Sequence, residues 1–303
     1  MTSSLQPDPS AIGRIPAPPF ARLPDPEVMF AQRAKRLLAL AEVSDLGAYL
    51  SFVAALAQAQ HDIQSQLPEP SLPDEDALAR AREFAMPPID RSGLSLDPAV
   101  ARTLDLMFDA AASIDKPKEA EVALGVVRQA GPGTVTAMIR NVLSEAIPAD
   151  AIAEHAYVAG GLQAHVARLA ARLDGEKLVR VSDGVCPACG GPPVSSLIVG
   201  WMGAEGARYC CCSLCGTFWN VVRIKCVLCS STKGVGYREI DGGPGTIKAE
   251  CCDTCHGYVK VFYQQKDVSL DPVADDIASL GLDLLLRDSE YRRGSFNPFL
   301  LGF

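Results

Sequence analysis

The sequence predicts an α+β protein: an N-terminal all-α helical domain, two tandem four-cysteine metal modules and a C-terminal helix. Three observations predict it. Apolar residues recur at helical spacing through most of residues 26–173. Residues 186–255 carry one four-cysteine pattern twice. An apolar-striped segment, residues 272–287, follows the second pattern. The chain divides accordingly into an extended arm (1–25), a helical domain (26–180), a first metal ribbon (181–223), a second metal ribbon (224–268), and a closing helix with an apolar tail (269–303). A chain of 303 residues has room for such a division.

The arm is rich in proline (Pro7, Pro9, Pro16, Pro18, Pro19, Pro24) and reads as extended. Residues 26–43 then place Met29, Phe30, Ala34, Leu37, Leu38 and Ala41 on one side of a helix, with Arg33, Lys35 and Arg36 spread elsewhere. Residues 47–67 repeat the spacing with Tyr49, Phe52, Val53, Leu56 and Ala59. A third helix, 74–85, is bounded by Pro73 and by Pro87-Pro88. Residues 98–114, 118–129, 133–146 and 150–173 continue the series; the last takes Asp150 as N-cap and ends before Asp174-Gly175. A loop, 174–184, leads into the ribbons. The tail, 294–303, carries Phe296, Phe299, Leu300, Leu301 and Phe303, and so much apolar surface is expected to dock on a domain.

The ribbons are specified by spacing. Cys186-Pro-Ala-Cys189 is followed after 22 residues by Cys212-Ser-Leu-Cys215. Cys226-Val-Leu-Cys229 is followed, again after 22, by Cys252-Asp-Thr-Cys255, and each cysteine of the second set lies 40 residues after its counterpart. Two Cys-x-x-Cys turns can bring four thiolates round one tetrahedral ion, so the segment reads as a tandem duplication of a rubredoxin-like or zinc-ribbon-like module. A tight knuckle favours a left-handed backbone just after its second cysteine. Gly190 and Gly216 stand there in the first copy, Ser230 and His256 in the second. Strand-like residues follow the knuckles at 194–199, 217–223 and 258–263. A ribbon of about 40 residues buries too little apolar area to fold unaided. Metal binding is therefore folding free energy, on the order of 10 kcal/mol per site.

Tetrahedral sulfur suits zinc or iron. Such cages are most often closed structural sites, and four filled positions argue against hydrolysis; with iron, the same cage can pass one electron. Cys210, Cys211 and Cys251 remain. Neighbours in a strand face opposite sides, so Cys211 and Cys212 cannot both aim at one ion, and the three read as bystanders packed as small hydrophobes.

Composition narrows the function. A net charge of −8 offers no general attraction to nucleic acid or anionic membrane. Residues 181–270 hold eight basic against seven acidic side chains, a poor footprint for phosphate binding. Trp219, Tyr258, Phe262 and Tyr263 are placed to stack bases but sit where ribbon core is expected. No apolar run reaches the roughly 18 residues of a membrane span. The polar start, residues 1–10, lacks the apolar centre of a signal peptide, and paired cysteines without an export signal fit a reducing, cytoplasmic setting. There is no glycine-rich phosphate loop, nucleophile elbow or zinc-protease helix. Of the four histidines, His61 reads as a solvated helix position, His155 and His165 lie on opposite helix faces, and His256 belongs to a knuckle. Nothing requires an enzyme.

Taken together, the chain resembles the formate dehydrogenase accessory protein family, FdhE. The resemblance is carried by the knuckles in their order and by the segments between them: residues 222–229, Ile247-Lys-Ala-Glu250, Tyr263-Gln-Gln-Lys-Asp267, Val273-Ala-Asp-Asp-Ile-Ala-Ser-Leu280 and Asn297-Pro-Phe299. Arg33-Ala-Lys-Arg-Leu37 and Ala57-Gln-Ala-Gln60 look similar upstream. The resemblance implies a cytoplasmic, non-catalytic factor needed for active respiratory formate dehydrogenase. Such a factor would bind the enzyme's molybdenum- or tungsten-containing catalytic subunit before twin-arginine export. It also implies rubredoxin-like sites, hence two metal ions with iron favoured over zinc, held by Cys186, Cys189, Cys212, Cys215, Cys226, Cys229, Cys252 and Cys255. The competing readings are a one-electron redox carrier and a nucleic-acid-binding zinc-ribbon protein.

Overall fold

The computed structural model describes residues 17–300; most of the proline-rich arm, and Leu301 and Phe303 of the tail, lie outside them. Helices form where the apolar period meets a cap. Helix α1 (Pro26–Ala41) starts behind Asp25, whose carboxylate accepts from the Glu27 N–H at 3.1 Å, and buries Phe30, Ala34 and Leu37. It packs on α2 (Gly47–Asp62), which a short turn of 3-10 helix, Gln64–Gln66, extends. Helix α3 (Glu75–Glu83) is capped by Asp74 and stops short of Pro87. Then come α4 (Arg91–Leu94), α5 (Pro98–Ala112), α6 (Lys118–Gln129) and α7 (Pro132–Leu143). Helix α8 (Ile152–Ala171) is the axis of this region: buried on nearly every face from His155 to Ala170, it touches α1, α2, α5, α6 and α7.

Its start corrects one expectation. Asp150 is exposed and caps nothing; Ala151 holds the N-cap position. A turn closed by the Ala151 N–H on the Pro148 carbonyl, at 3.1 Å, carries the chain past Asp150 before the helix begins.

The two ribbons are not separate. Strands β2 (Pro193–Ile198), β3 (Arg208–Cys212) and β4 (Phe218–Val221) form one antiparallel meander, and β5 (Val235–Arg238), β6 (Ile247–Cys252) and β7 (Gly257–Tyr263) form its duplicate. Each meander leaves two edges. One edge of each is consumed where β2 pairs parallel with β7, Leu197 opposite Phe262. At the β4 edge, β1 (Ala21–Arg22) pairs with Phe218 and Trp219, drawing the end of the arm onto the sheet. The short β8 (Arg292–Arg293) adds to β7. The result is a single sheet in the order β1-β4-β3-β2-β7-β6-β5. Pairing the inner edges satisfies backbone groups that two free-standing ribbons would expose.

The closing helix also differs from expectation. Residues 272–287 form two short helices, α9 (Ala274–Ala278) and α10 (Leu280–Leu286). The break has a visible cause: the buried Lys260 ammonium, reaching up from β7, donates to the carbonyls of Asp276 at 2.8 Å and Ser279 at 3.2 Å. A cation on the last carbonyls terminates α9 as a C-terminal cap would. Beyond it, the tail docks as predicted: Phe299 and Leu300 are buried, and the Tyr49 hydroxyl donates to the Phe299 carbonyl at 2.6 Å. The main apolar core runs without a break from α1, α2, α5 and α8 into β2 and β3, while Ala249, Cys251, Tyr258, Leu282, Leu286 and Tyr291 make a smaller second cluster. No helix among the described residues is long and apolar enough to cross a membrane.

Candidate metal centres

The knuckles that open the two copies are built by the same local turn. In the first, the Gly190 N–H returns to the Cys186 carbonyl at 2.9 Å; in its duplicate, Ser230 N–H returns to Cys226 at 3.0 Å. The residue after each second cysteine is left-handed, as predicted: φ is +74° at Gly190, +75° at Gly216, +62° at Ser230 and +52° at His256. One Cys-x-x-Cys of each copy lies before the meander and the other at its second hairpin, so the sheet register brings the two pairs face to face.

The structure gathers Cys186, Cys189, Cys212 and Cys215 into one cluster and Cys226, Cys229, Cys252 and Cys255 into another, with all four sulfurs of a cluster within 4.8 Å of one another. Across the knuckles the Sγ atoms lie 3.6 Å (Cys186–Cys215), 3.5 Å (Cys189–Cys212), 3.8 Å (Cys226–Cys255) and 3.7 Å (Cys229–Cys252) apart. A regular tetrahedron with metal–sulfur bonds of about 2.3 Å has edges of about 3.8 Å, so the sulfur cages fit zinc or iron in size and donor type. No cysteine among the described residues is in a disulfide. Among the described residues no third group of metal-binding side chains converges in this way.

The local field prepares one sulfur in each cage. Burial alone would raise the Cys212 thiol, but hydrogen bonds from the thiols of Cys186, Cys189 and Cys215 and from the Cys215 N–H hold it well below its ordinary 9.0. Its duplicate Cys252, also opposed by burial, is brought to about 7 chiefly by the N–H groups of Cys255 and Thr254. Burial pushes Cys186 and Cys215 well up. A metal ion entering such a cage displaces the remaining protons, so its binding strengthens as pH rises.

The other three cysteines stay apart. Cys210, Cys211 and Cys251 are buried among apolar neighbours, outside both cages, and burial lifts Cys210 to about 12 and Cys251 to about 11. The histidines also stay apart. His155 is held by the Ala151 carbonyl and Asn141, His165 by Thr103, and the exposed His256 faces Glu290 at 3.1 Å. His61 is half-buried rather than solvated, with Nδ1 enclosed.

Several positioning residues escaped the sequence reading. The first cage is braced from the helices by a buried relay: Gln60 donates to the Gln163 carboxamide oxygen at 3.1 Å, and Gln163 donates to the Ser213 carbonyl, inside the knuckle, at 2.7 Å. The Ile89 N–H donates to the Ala188 carbonyl at 3.1 Å, and Arg91 donates to the carbonyls of Gly190 and Leu143. Arg33 and Arg36, read only as lying away from the apolar side of α1, clasp the segment before and within α9: Arg33 to Asp271 at 3.3 Å, Arg36 to Asp275 at 2.6 Å and to Asp267 at 3.2 Å. Between the copies, Arg208 of β3 and Glu250 of β6 form a buried ion pair at 2.7 Å. The signal for them lies in the sequence: Arg33, Arg36, Gln60 and Glu250 all belong to segments that carry the family resemblance.

Comparisons with known proteins agree along the whole chain. The family model described as "FdhE, N-terminal" matches residues 18–183, "FdhE, central domain" residues 185–223, and "FdhE, C-terminal domain" residues 224–300. A "Protein FdhE homolog" of Rhizobium meliloti (strain 1021) is 49% identical over 303 residues, covering 99% of both chains. "Protein FdhE" of Escherichia coli (strain K12 / DH10B) is 33% identical over 296 residues, 94% of this chain and 91% of that one. The crystal structure of the FdhE protein from Pseudomonas aeruginosa superposes with a TM-score of 0.83 at 34% identity, covering 94% of this chain and 99% of the other.

Proposed function

The chain belongs to the FdhE family, known as formate dehydrogenase accessory proteins, and from this premise we propose that it serves the maturation of a respiratory formate dehydrogenase. In this reading it works in the cytoplasm, binds the catalytic subunit before export, and carries out no reaction of its own. The eight paired cysteines hold two metal ions, with iron preferred to zinc. In this reading the chain's parts are an extended arm, a helical domain, two metal ribbons joined edge to edge, and a closing helical segment.

One observation carries the reading. The likeness extends through the segments that have no metal-binding residue, and these segments meet: the Arg33–Arg36 segment clasps the segment around Asp275, and Gln60 reaches the first cage, at its Cys212–Cys215 knuckle, through Gln163. A single body assembled from all parts of the chain suits recognition of a folded partner. Cages filled by four protein sulfurs leave no position for substrate or water, which supports binding over hydrolysis. The nucleic-acid reading loses three of its four stacking residues, because Trp219, Tyr258 and Phe262 are buried and only Tyr263 is half-buried. A one-electron role requires iron, and a visible spectrum of the purified protein decides that point.

The direct test is to mix the purified protein with the immature catalytic subunit of formate dehydrogenase from the same cells. The expected result is a complex on size-exclusion chromatography, and loss of formate dehydrogenase activity when the gene is deleted. Absence of a complex together with undiminished activity in the deletion strain would reject the function.

A further inference from the structure

The two cages share a ligand set and a spacing, so any difference between them comes from what surrounds them. All four sulfur residues of the first cage are buried. In the second, Cys226 and Cys252 are buried but Cys229 and Cys255 are exposed. We propose that the second cage is an exchange centre: Cys229 and Cys255 form an edge at which a thiolate from another molecule can enter the coordination of the ion, while the first cage is closed to it. This rests on the reading that both cages hold metal.

Cover makes the difference. The first cage lies under the helical region at four points: Ala188 is bonded by Ile89, Gly190 by Arg91, Ser213 by Gln163, and Gly216 lies against Met29. The glycines permit that approach. A Cβ on Gly190 would stand 3.1 Å from Pro87 Cγ, and one on Gly216 would stand 2.6 Å from Met29 Sδ. Forty residues on, the equivalents are Leu228, Ser230, Asp253 and His256. The side chains at Ser230 and His256 exclude the same close seating. Their partners come from the linker and the C-terminal segment instead: Asp183 accepts from Ser230 at 3.0 Å, Tyr291 donates to Asp253 at 2.7 Å, and Glu290 lies 3.1 Å from His256. These hold the knuckles from the side and leave the Cys229–Cys255 edge facing solvent.

Exchange at that edge changes no oxidation state. With an ion held by the cage, the entering thiol would give up its proton as its sulfur takes the place of Cys229 or Cys255, and the displaced thiolate would take up a proton in exchange. At the first cage the same entry requires the helical region to lift from the knuckles, an opening with its own free-energy cost.

The test uses the full-length, metal-loaded protein and the water-soluble dithiol dimercaptopropanesulfonate. Metal content is followed over time, and freed cysteines are pulse-alkylated and located by peptide mass spectrometry. The expected result is that Cys226, Cys229, Cys252 and Cys255 become alkylated at least about tenfold faster than Cys186, Cys189, Cys212 and Cys215, because only the latter await local opening. Equal rates, or the first set reacting sooner, would overturn the proposal. A protein that holds no metal at the outset ends both this proposal and the metal reading beneath it, whereas one that releases two ions together ends this proposal alone.

Discussion

Replacing Gly216 by alanine tests how the first cage is seated, and the duplication supplies its own control. The backbone there has φ +75°, and the new Cβ would lie 2.6 Å from Met29 Sδ and 3.2 Å from Met29 Cε. A left-handed conformation costs a non-glycine residue roughly 1–2 kcal/mol. Forcing an extra carbon into a packed contact costs roughly 1–3 kcal/mol more. The lower freedom of alanine in the unfolded chain returns about 0.4–1 kcal/mol. The net expectation is a loss of about 2–4 kcal/mol, with the larger values if Met29 cannot turn away. The matched change is His256→Gly, at φ +52°. There relief of the left-handed strain and the greater unfolded freedom of glycine nearly cancel, and the exposed contact to Glu290 contributes little, so stability should shift by no more than about 1 kcal/mol. Urea unfolding of both metal-loaded variants beside the parent measures the difference. A Gly216→Ala protein within about 1 kcal/mol of the parent, or a His256→Gly protein as damaged as it, would refute the claim that close cover by the helices distinguishes the first knuckles.

Three further outcomes follow from the buried charges. Lys260 lies 2.5 Å from Asp283 and 3.3 Å from Asp276, with Arg293 on the far side of both carboxylates. Lys260→Met should cost about 3–5 kcal/mol by leaving two buried carboxylates to one guanidinium, measured by the same unfolding assay. In the parent, burial opposes ionisation of Asp276, but Arg293 and Lys260 outweigh it and hold the carboxyl below its ordinary 3.8. A depressed folded value means the stabilisation is present in full above the unfolded value and drains away as pH falls through the folded one. Thermal stability should therefore drop below about pH 4, and a flat profile there would contradict the pairing. Glu250→Gln should likewise cost about 3–5 kcal/mol by stranding Arg208, and adding Arg208→Met should recover part of that loss; a double variant no better than the single one would deny their coupling.

What was legible in the sequence was local. The cysteine spacing marks both cages, and the left-handed position after each second cysteine follows from turn geometry, so even Ser230 and His256 could be placed. Helices α5 and α6 begin at the residues expected, since Asp97-Pro98 and Pro117 mark their starts. Apart from the N-cap of α8, where a local turn passes Asp150 by, the main misreadings are non-local. Pairing of β2 with β7 joins residues more than sixty positions apart and leaves no mark on either strand's alternation. The break between α9 and α10 is imposed by an ammonium from β7 on a segment whose own periodicity is continuous. Arg33 and Arg36 read only as lying away from the apolar side of α1 until Asp267, Asp271 and Asp275 are brought to them from the other end of the chain. Exposure of Cys229 and Cys255 is likewise invisible in a repeat whose two copies have identical spacing.

The most direct measurement is the number of metal ions per chain by native mass spectrometry, for the parent and for Cys212→Ser and Cys252→Ser. Two ions in the parent and one in each variant, with the visible spectrum reporting iron, is the expected result. A parent chain without bound metal, or either variant still carrying two ions, would contradict the assignment of the eight cysteines as ligands.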